Sequence, residues 1–329
     1  MSERIFQITE EQVGLTLAAV LRQQLPGSSW NQVRKWISDR QVTVGENLCT
    51  DSAMRMTAGM SISLSHRPAP EEPKGEMIHF RYVDEHIVVV EKPYGMNTIR
   101  HPAELEWSKR KQAQNPTLLD LVYKKLSAQE KATSPKNRLR VVQRLDKETS
   151  GLLVFARTHV AERELGKQFQ AHQTHRKYLA IIPGQIRSQT ISTHLVRNRG
   201  DGLRGSSEST KQGKLAVTHI QHLESLGRYS LVACRLETGR THQIRIHLSE
   251  AGHPICGEKV YIRRRNGSII REKSRAPRLA LHAAELGFVH PVTREQFHWE
   301  SEFPKDLQFF LHSLRGNPGD SDTENALEE

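Results

Sequence analysis

Arg144 and Asp146 are the residues whose types and spacing first suggest chemistry, and they lie in the stretch VVQRLDKETSGLLVFART, residues 141–158. Apolar residues before and after them favour buried strands, whereas residues 147–151 favour a turn. The pattern therefore places a guanidinium and a carboxylate in a tight turn at the mouth of a sheet. On these residues alone, the commoner role of such an Asp is structural, since its side chain can accept hydrogen bonds from the backbone of its own turn.

A second group of candidate residues is basic and begins a predicted helix in the segment LETGRTHQIRIHL. Thr241 is the expected N-cap of this helix. Arg240, His242 and Arg245 lie near its N-terminus, where the helix dipole disfavours cations by a few tenths of a kcal/mol to about 1 kcal/mol each. Such crowding indicates that anions lie nearby, either a carboxylate or phosphates.

The elements between these two segments are a helix and a strand. Thr158 is the expected N-cap of the helix, and the run from Arg176 to Ile182 has the composition of a strand. Tyr178 lies within that strand. An isolated Tyr in a strand usually contributes only packing.

Taken in order, these motifs resemble those of the RluA-type pseudouridine synthases. RLDxxTSG before an apolar strand resembles the central motif, in which the Asp is the nucleophile. The Lys-Tyr pair of the strand resembles the second motif, and TGRTHQIRIHL resembles the third. The resemblance implies that Asp146 is the nucleophile, that Tyr178 lies against the target base and that Arg245 pairs with Asp146. The sequence departs from the family at Gln143, where those enzymes often have His.

The chemistry that the resemblance implies is an isomerisation. Burial alone would keep the Asp146 carboxyl protonated, whereas an apposed guanidinium favours the ionised nucleophile. After attack, the detached uracil rotates and rejoins its sugar through carbon, so no water is consumed. Arg144 is expected to fill the gap that the flipped uridine leaves, and Arg240 and His242 to contact RNA. Neither a metal nor an organic cofactor is implied.

The composition agrees with a nucleic-acid partner. The chain of 329 residues has a formal net charge of +11, which suggests a phosphate-rich ligand. No long apolar run or basic amphipathic helix favours a membrane, and the N-terminus lacks the features of a secretion signal, so the cytoplasm is expected. The 3 cysteines lack CxxC spacing, and the 17 histidines include no HExxH, so no disulfide framework or metal site is predicted.

A small module near the N-terminus has two predicted helices followed by a hairpin. The second helix follows Ser28 or Ser29 as its N-cap, with Trp30, Val33 and Ile37 on an apolar stripe. Arg34 and Lys35 lie off that stripe. Composition alone would equally allow a structural or dimerising domain. The order of features over about residues 10–65, however, resembles the RNA-binding domain shared by a small-subunit ribosomal protein and bacterial tyrosyl-tRNA synthetases, which implies that Arg34 and Lys35 contact RNA.

These features predict an α+β protein with two domains. Residues 1–66 form a small α/β RNA-binding domain, and the Pro-rich, charged residues 67–76 form a linker. Residues 77–314 form a catalytic domain built on a mixed, mainly antiparallel sheet. Residues 315–329 form a disordered acidic tail.

The sequence therefore predicts an RNA pseudouridine synthase that acts as a monomer on large-subunit ribosomal RNA, with transfer RNA as the alternative substrate. A catalytically silent RNA-binding or ribosome-assembly factor stays open, and Gln143 is its support in the sequence. A nucleoside hydrolase is a third possibility. It predicts free uracil as a product, which isomerisation does not release.

Overall fold

The computed structural model describes residues 4–45, 47–65, 78–129, 139–200, 202–207, 209, 211–264, 266, 268–270 and 273–316. The chain divides into two compact units, Met1–Lys74 and Gly75–Glu329. The predicted linker, residues 67–76, lies outside the described residues, and so does the predicted tail from residue 317 onward. Among the described helices, none has the length and apolar character needed to cross a bilayer.

The first unit combines a four-stranded antiparallel sheet with two helices. Its elements are β1 (Arg4–Gln7), a short 3-10 helix (Glu10–Gln12), α1 (Leu17–Gln24), α2 (Trp30–Ser38), β2 (Val42–Val44), β3 (Asn47–Leu48) and β4 (Ser61–Leu64). The strand order is β1-β4-β2-β3. Apolar side chains of the two helices and of the sheet form the core between them. They include Leu21 of α1, Val33 of α2 and Ile62 of β4.

Local capping chemistry determines where the second helix begins. The Ser29 hydroxyl accepts a hydrogen bond from the backbone N–H of Gln32 at 3.1 Å, so Ser29 rather than Ser28 is the N-cap. Trp30 begins the predicted apolar stripe but is 41% exposed, whereas Val33 and Ile37 on the same stripe are buried. The Trp30 indole ring instead stacks against the Arg22 guanidinium, 4.7 Å from the ring centroid.

The second unit is built on an 11-stranded sheet. Its strands are β5 (His79–Val83), β6 (Ile87–Lys92), β7 (Arg140–Val141), β8 (Ser150–Ala156), β9 (His175–Pro183), β10 (Gln189–Val196), β11 (Gly205–Ser206), β12 (Lys214–Leu226), β13 (Tyr229–Leu236), β14 (Leu281–Val289) and β15 (Gln296–Glu300). The order is β11-β10-β12-β13-β9-β14-β8-β6-β5, with β15 paired to β14 and β7 to β8. Strands β8 and β14 run parallel, and the other pairs are antiparallel. The predicted fold class, α+β with a mixed, mainly antiparallel sheet, is confirmed.

The described part of this unit also contains helices. They are a 3-10 helix (Pro102–Glu104), α3 (Lys109–Gln114), α4 (Leu118–Gln129), α5 (His159–Gln170), α6 (Gln243–Glu250) and α7 (Lys305–Arg315). Of these, α4–α7 contribute to the apolar cores on the sheet. Thr158 caps α5 as predicted, because its hydroxyl accepts from the Ala161 N–H. Thr241 is not the cap of α6. That helix begins after His242, which has a left-handed backbone with φ of +59° and makes no side-chain cap.

Gly151 permits the parallel contact between β8 and β14, and its replacement tests the fold. It has φ of +117°, and a Cβ there would lie 2.3 Å from the Ala283 carbonyl oxygen. Gly166 is a matched control, because it is helical with open space around it. We expect Gly151→Ala to lower the free energy of unfolding by roughly 1–3 kcal/mol or more and Gly166→Ala to raise it by roughly 0.5–1 kcal/mol. Urea denaturation measures both, and equal effects would contradict the placement of Gly151.

Candidate active site

The turn that carries Asp146 is fixed through the backbone of its neighbours. Thr98 exchanges two hydrogen bonds with Leu145, donating from its hydroxyl to the carbonyl at 2.7 Å and accepting from the N–H at 3.1 Å. The buried Lys92 ammonium and the Gly95 N–H both donate to the carbonyl of Lys147, at 3.1 and 2.9 Å. The segment EKPYGM, residues 91–96, therefore positions the turn.

These contacts leave the Asp146 side chain available. Its carboxylate is 23% exposed, and within the described part of the chain it accepts no hydrogen bond, because the turn is closed through its backbone carbonyl and the Thr149 N–H instead. The purely structural role considered from the sequence, in which the carboxylate caps its own turn, is therefore not the one it plays here. A partly exposed carboxylate on a rigid turn can instead act on a ligand.

His242 is the basic group nearest to this carboxylate. Its Nε2 lies 3.9 Å from Asp146 Oδ1, and its Nδ1 lies 2.7 Å from the hydroxyl oxygen of Tyr261. Burial lowers the pKa of His242, although the charge of Asp146 opposes that effect. The imidazole is therefore neutral at neutral pH, and it lies between the carboxylate and the Tyr261 hydroxyl.

Arg245 does not form the ion pair that the sequence predicted. Its buried guanidinium makes two hydrogen bonds to Glu258, at 2.7 and 2.6 Å, and among the described residues it makes none to Asp146. Glu258 is the better-prepared partner, because one of its oxygens also accepts backbone N–H groups of residues 259–261. Burial would lower the pKa of Arg245, but the bonds and charge of Glu258, together with the charge of Asp146, raise it. The positive charge of Arg245 thus still acts on Asp146 without direct contact.

Tyr178 is also close to Asp146. It is buried in β9, and burial, together with the charge of Asp146, raises the pKa of its phenol to about 12. Tyr178 is therefore an uncharged phenol at neutral pH. The structure thus brings Asp146, Tyr178, His242 and, through its charge, Arg245 into one site.

The other predicted basic residues differ in how they are held. Arg144 is exposed, and within the described residues its guanidinium has no hydrogen-bond or ion-pair partner, so it can reach a ligand. Arg240 is exposed as well, but its Nε donates to the Leu215 carbonyl at 2.9 Å. Arg34 and Lys35 lie exposed on α2, in the other unit. Sequence reasoning missed Lys92 and Glu258. Lys92 could have been noticed because it ends the apolar run of β6, whereas no signal in the sequence marks Glu258 as the partner of Arg245.

His247 holds α6 against the sheet. It thereby also determines where His242 and Arg245 lie. Its ring nitrogens lie 2.9 Å from the Thr218 hydroxyl and 3.0 Å from the Thr193 hydroxyl. Burial lowers the pKa of His247 to about 4. In the unfolded chain it titrates near its usual value of about 6.5.

This difference predicts a dependence of stability on pH. Between about pH 6.5 and pH 4 the unfolded state binds more protons than the folded state, so the free energy of unfolding should fall as the pH is lowered. We expect His247→Gln to reduce that slope, and the partly exposed control His222→Gln to preserve it. Urea denaturation at several pH values measures the slope. An unchanged slope in His247→Gln would show that His247 is not held neutral.

Comparison with known proteins agrees with this geometry. Residues 86–250 match the family model described as RNA pseudouridylate synthase. The chain belongs to this family. Residues 15–62 match the S4 domain. The predicted isomerase activity, an RNA pseudouridine synthase with an N-terminal RNA-binding domain, is thereby confirmed, and RNA is its partner.

Similar proteins cover nearly the whole chain. Ribosomal large subunit pseudouridine synthase D of Zymomonas mobilis is 34% identical over 93% of this chain and 96% of its own length. The protein of that name from Neisseria meningitidis serogroup B is 35% identical over 97% of this chain and 87% of its own length. A solved structure, human RNA pseudouridylate synthase domain containing 4, shares the fold with a TM-score of 0.56 and 24% identity, covering 72% of this chain and 92% of that one.

Proposed function

We propose that Asp146 is the nucleophile of a synthase that converts uridines of large-subunit ribosomal RNA to pseudouridine. The observation that carries this proposal is the Asp146 carboxylate itself, which is partly exposed and without hydrogen bonds among the described residues, on a turn fixed through its neighbours. Attack of the carboxylate on C1′ of the ribose forms an ester as the bond between C1′ and N1 breaks; the uracil rotates, C5 bonds to C1′, and the carboxylate is released. C5 then loses its proton, and N1 gains one.

We further propose that His242 rather than Arg245 orients the nucleophile. If the Tyr261 hydroxyl donates to Nδ1, the proton of the neutral ring is on Nε2, facing Asp146 Oδ1 at 3.9 Å. Arg245 then acts on the nucleophile at longer range, through its positive charge. Tyr178 packs on the base. Because its phenol is uncharged, it can accept the C5 proton only after giving up its own.

The groups assigned to RNA have complementary roles. Arg144, exposed two residues before Asp146, fills the stack that the flipped uridine vacates, which offsets part of the cost of extruding a base. Arg240 and His242 contact the substrate strand near the helix α6 terminus. Residues 1–66 position the RNA, and residues 77–314 carry the chemistry. The protein acts as a monomer without a catalytic metal, in the cytoplasm, where its substrate is made in bacteria.

Tritium release tests the substrate. Unmodified large-subunit ribosomal RNA and transfer RNA, each labelled at C5 of uridine, are incubated with the full-length protein, and released tritium is counted. We expect release from ribosomal RNA at least tenfold faster than from transfer RNA. A factor of about ten in affinity is what the loss of a few contacts with the wrong RNA costs. Release from transfer RNA alone would overturn the ribosomal assignment while leaving the activity in place.

The S4 domain is expected to contribute affinity through Arg34 and Lys35, which are exposed on α2. If both contact phosphates, the double variant Arg34→Ala/Lys35→Ala should bind RNA more weakly, and its plot of log affinity against log salt should be less steep by about 1.4–1.8. The charge-matched control is Arg163→Ala/Lys167→Ala, since both residues pair with Glu164 on α5. Filter binding at several salt concentrations measures the slopes. Equal slopes in the two double variants would count against an RNA contact at α2.

A further inference from the structure

A second group of chemically active side chains lies on three neighbouring strands, away from Asp146. In the register of β9, β14 and β15, His175 pairs with Gly287, and Gly287 pairs with His298. Two imidazoles thus flank a residue without a side chain. Their ring centroids are 5.2 Å apart, and a Cβ on Gly287 would lie 3.1 Å from His298 Nδ1 and 3.3 Å from His175 Cβ. The glycine therefore lets the two rings approach each other.

The adjacent row supplies a carboxylate to this pair. Glu285 Oε2 lies 2.7 Å from His175 Nε2 and 3.8 Å from His298 Nε2. The three possible ligand atoms all lie within 4.8 Å of one another. Glu300, which pairs with Glu285 across β14 and β15, has Oε1 at 3.5 Å from His298 Nε2. A second carboxylate therefore lies next to the cluster.

We propose that His175, Glu285 and His298 form a binding site for one divalent transition-metal ion of the Zn²⁺ type. Ligands at about 2.0–2.2 Å around a tetrahedral ion lie about 3.3 Å apart, and the observed separations bracket that value. Imidazole nitrogens with one carboxylate favour Zn²⁺ and similar ions over Mg²⁺ or Ca²⁺. The side chains of His175 and His298 are 40% and 46% exposed, so an ion can enter from solvent and small rotamer changes can close the site.

Lys177 determines how strongly the ion is held. Its Nζ lies 2.5 Å from Glu285 Oε1. This is the carboxylate oxygen that does not bind the ion in the proposed site. Lys177 therefore orients the carboxylate as outer groups of metal sites do, but its charge also repels a cation. Lys177 and Tyr178 are neighbours in β9, whose successive side chains point to opposite faces. The ion would thus link β15 to β9, on the face of the sheet opposite the side chain of Tyr178.

Titration of the untagged, full-length protein after chelator treatment tests the site, with calorimetry for Zn²⁺ and visible absorption for Co²⁺. We expect one Zn²⁺ per chain with a dissociation constant in the micromolar range or tighter. His175→Asn and His298→Asn should each weaken binding by about tenfold or more. His222→Asn, which replaces a partly exposed histidine outside the cluster, should not. Lys177→Gln should tighten binding several-fold, because it removes the competing charge.

Two outcomes would overturn the proposal. One is wild-type binding no tighter than that of the double variant His175→Asn/His298→Asn, which would assign any bound Zn²⁺ to scattered surface histidines. The other is weaker binding in Lys177→Gln, which would mean that Glu285 serves only as the partner of Lys177. Circular dichroism of each variant establishes that it is folded before its affinity is compared.

Discussion

Asp146→Asn should release tritium from uridine-labelled ribosomal RNA at least about 10³-fold more slowly than the wild type, a loss of the size that follows removal of a catalytic nucleophile. An amide is a far poorer nucleophile than a carboxylate, so the covalent step is lost. RNA affinity should be unchanged, because Arg144, Arg240 and the S4 domain are intact. Stability should change little, since the Asp146 carboxylate accepts no hydrogen bond among the described residues.

The matched control for this variant is Glu148→Gln, which removes a carboxylate from the same turn. It should keep the wild-type rate within a few-fold. Single-turnover tritium release and filter binding on the same RNA measure the two properties. If Asp146→Asn kept more than a tenth of the wild-type rate, Asp146 would not be the nucleophile.

Arg245→Ala should lower the free energy of unfolding by about 3–5 kcal/mol, because it leaves the Glu258 carboxylate buried without its partner. Glu258→Ala should cost a similar amount for the converse reason. Replacing both with apolar residues of similar volume, as in Arg245→Met/Glu258→Leu, should restore most of the stability. Chemical denaturation of the wild type and the three variants compares their stabilities, and a double variant no more stable than either single variant would contradict this role of the pair.

Activity separates the structural role of this pair from its electrostatic role. The double variant should fold yet remain about tenfold or more less active, because the positive charge of Arg245 no longer acts on Asp146. A stable double variant with the wild-type rate would mean that Arg245 serves the fold alone.

Local chemistry made part of this structure predictable. The turn of Asp146 was evident from turn-forming residues between two apolar runs. The Thr158 cap was predicted, and Ser29 was one of two candidates for its helix, because an N-cap depends on a hydroxyl and the next three residues. These predictions of the turn and the caps succeeded because each rests on residues that are close in sequence. The roles of the site residues were supplied by the family resemblance and stay predictions.

Features that depend on tertiary contacts were not predictable in this way. Arg245 pairs with Glu258 because backbone N–H groups already orient that carboxylate, and nothing in the helix sequence selects it over Asp146. The start of α6 was placed wrongly at Thr241, because a left-handed histidine has no signature in sequence. His175, Glu285 and His298 meet through strand register alone, so a search for metal-ligand spacing along the chain misses them.

The measurement that most directly tests the central claim is nucleoside analysis of unmodified large-subunit ribosomal RNA after incubation with the full-length protein. Complete digestion and mass spectrometry separate uridine, pseudouridine and free uracil. The account predicts that pseudouridine accumulates as uridine is lost, that no free uracil appears, and that Asp146→Asn yields neither product. Free uracil would indicate hydrolysis instead of isomerisation, and an RNA that is bound but unchanged would indicate a silent RNA-binding factor.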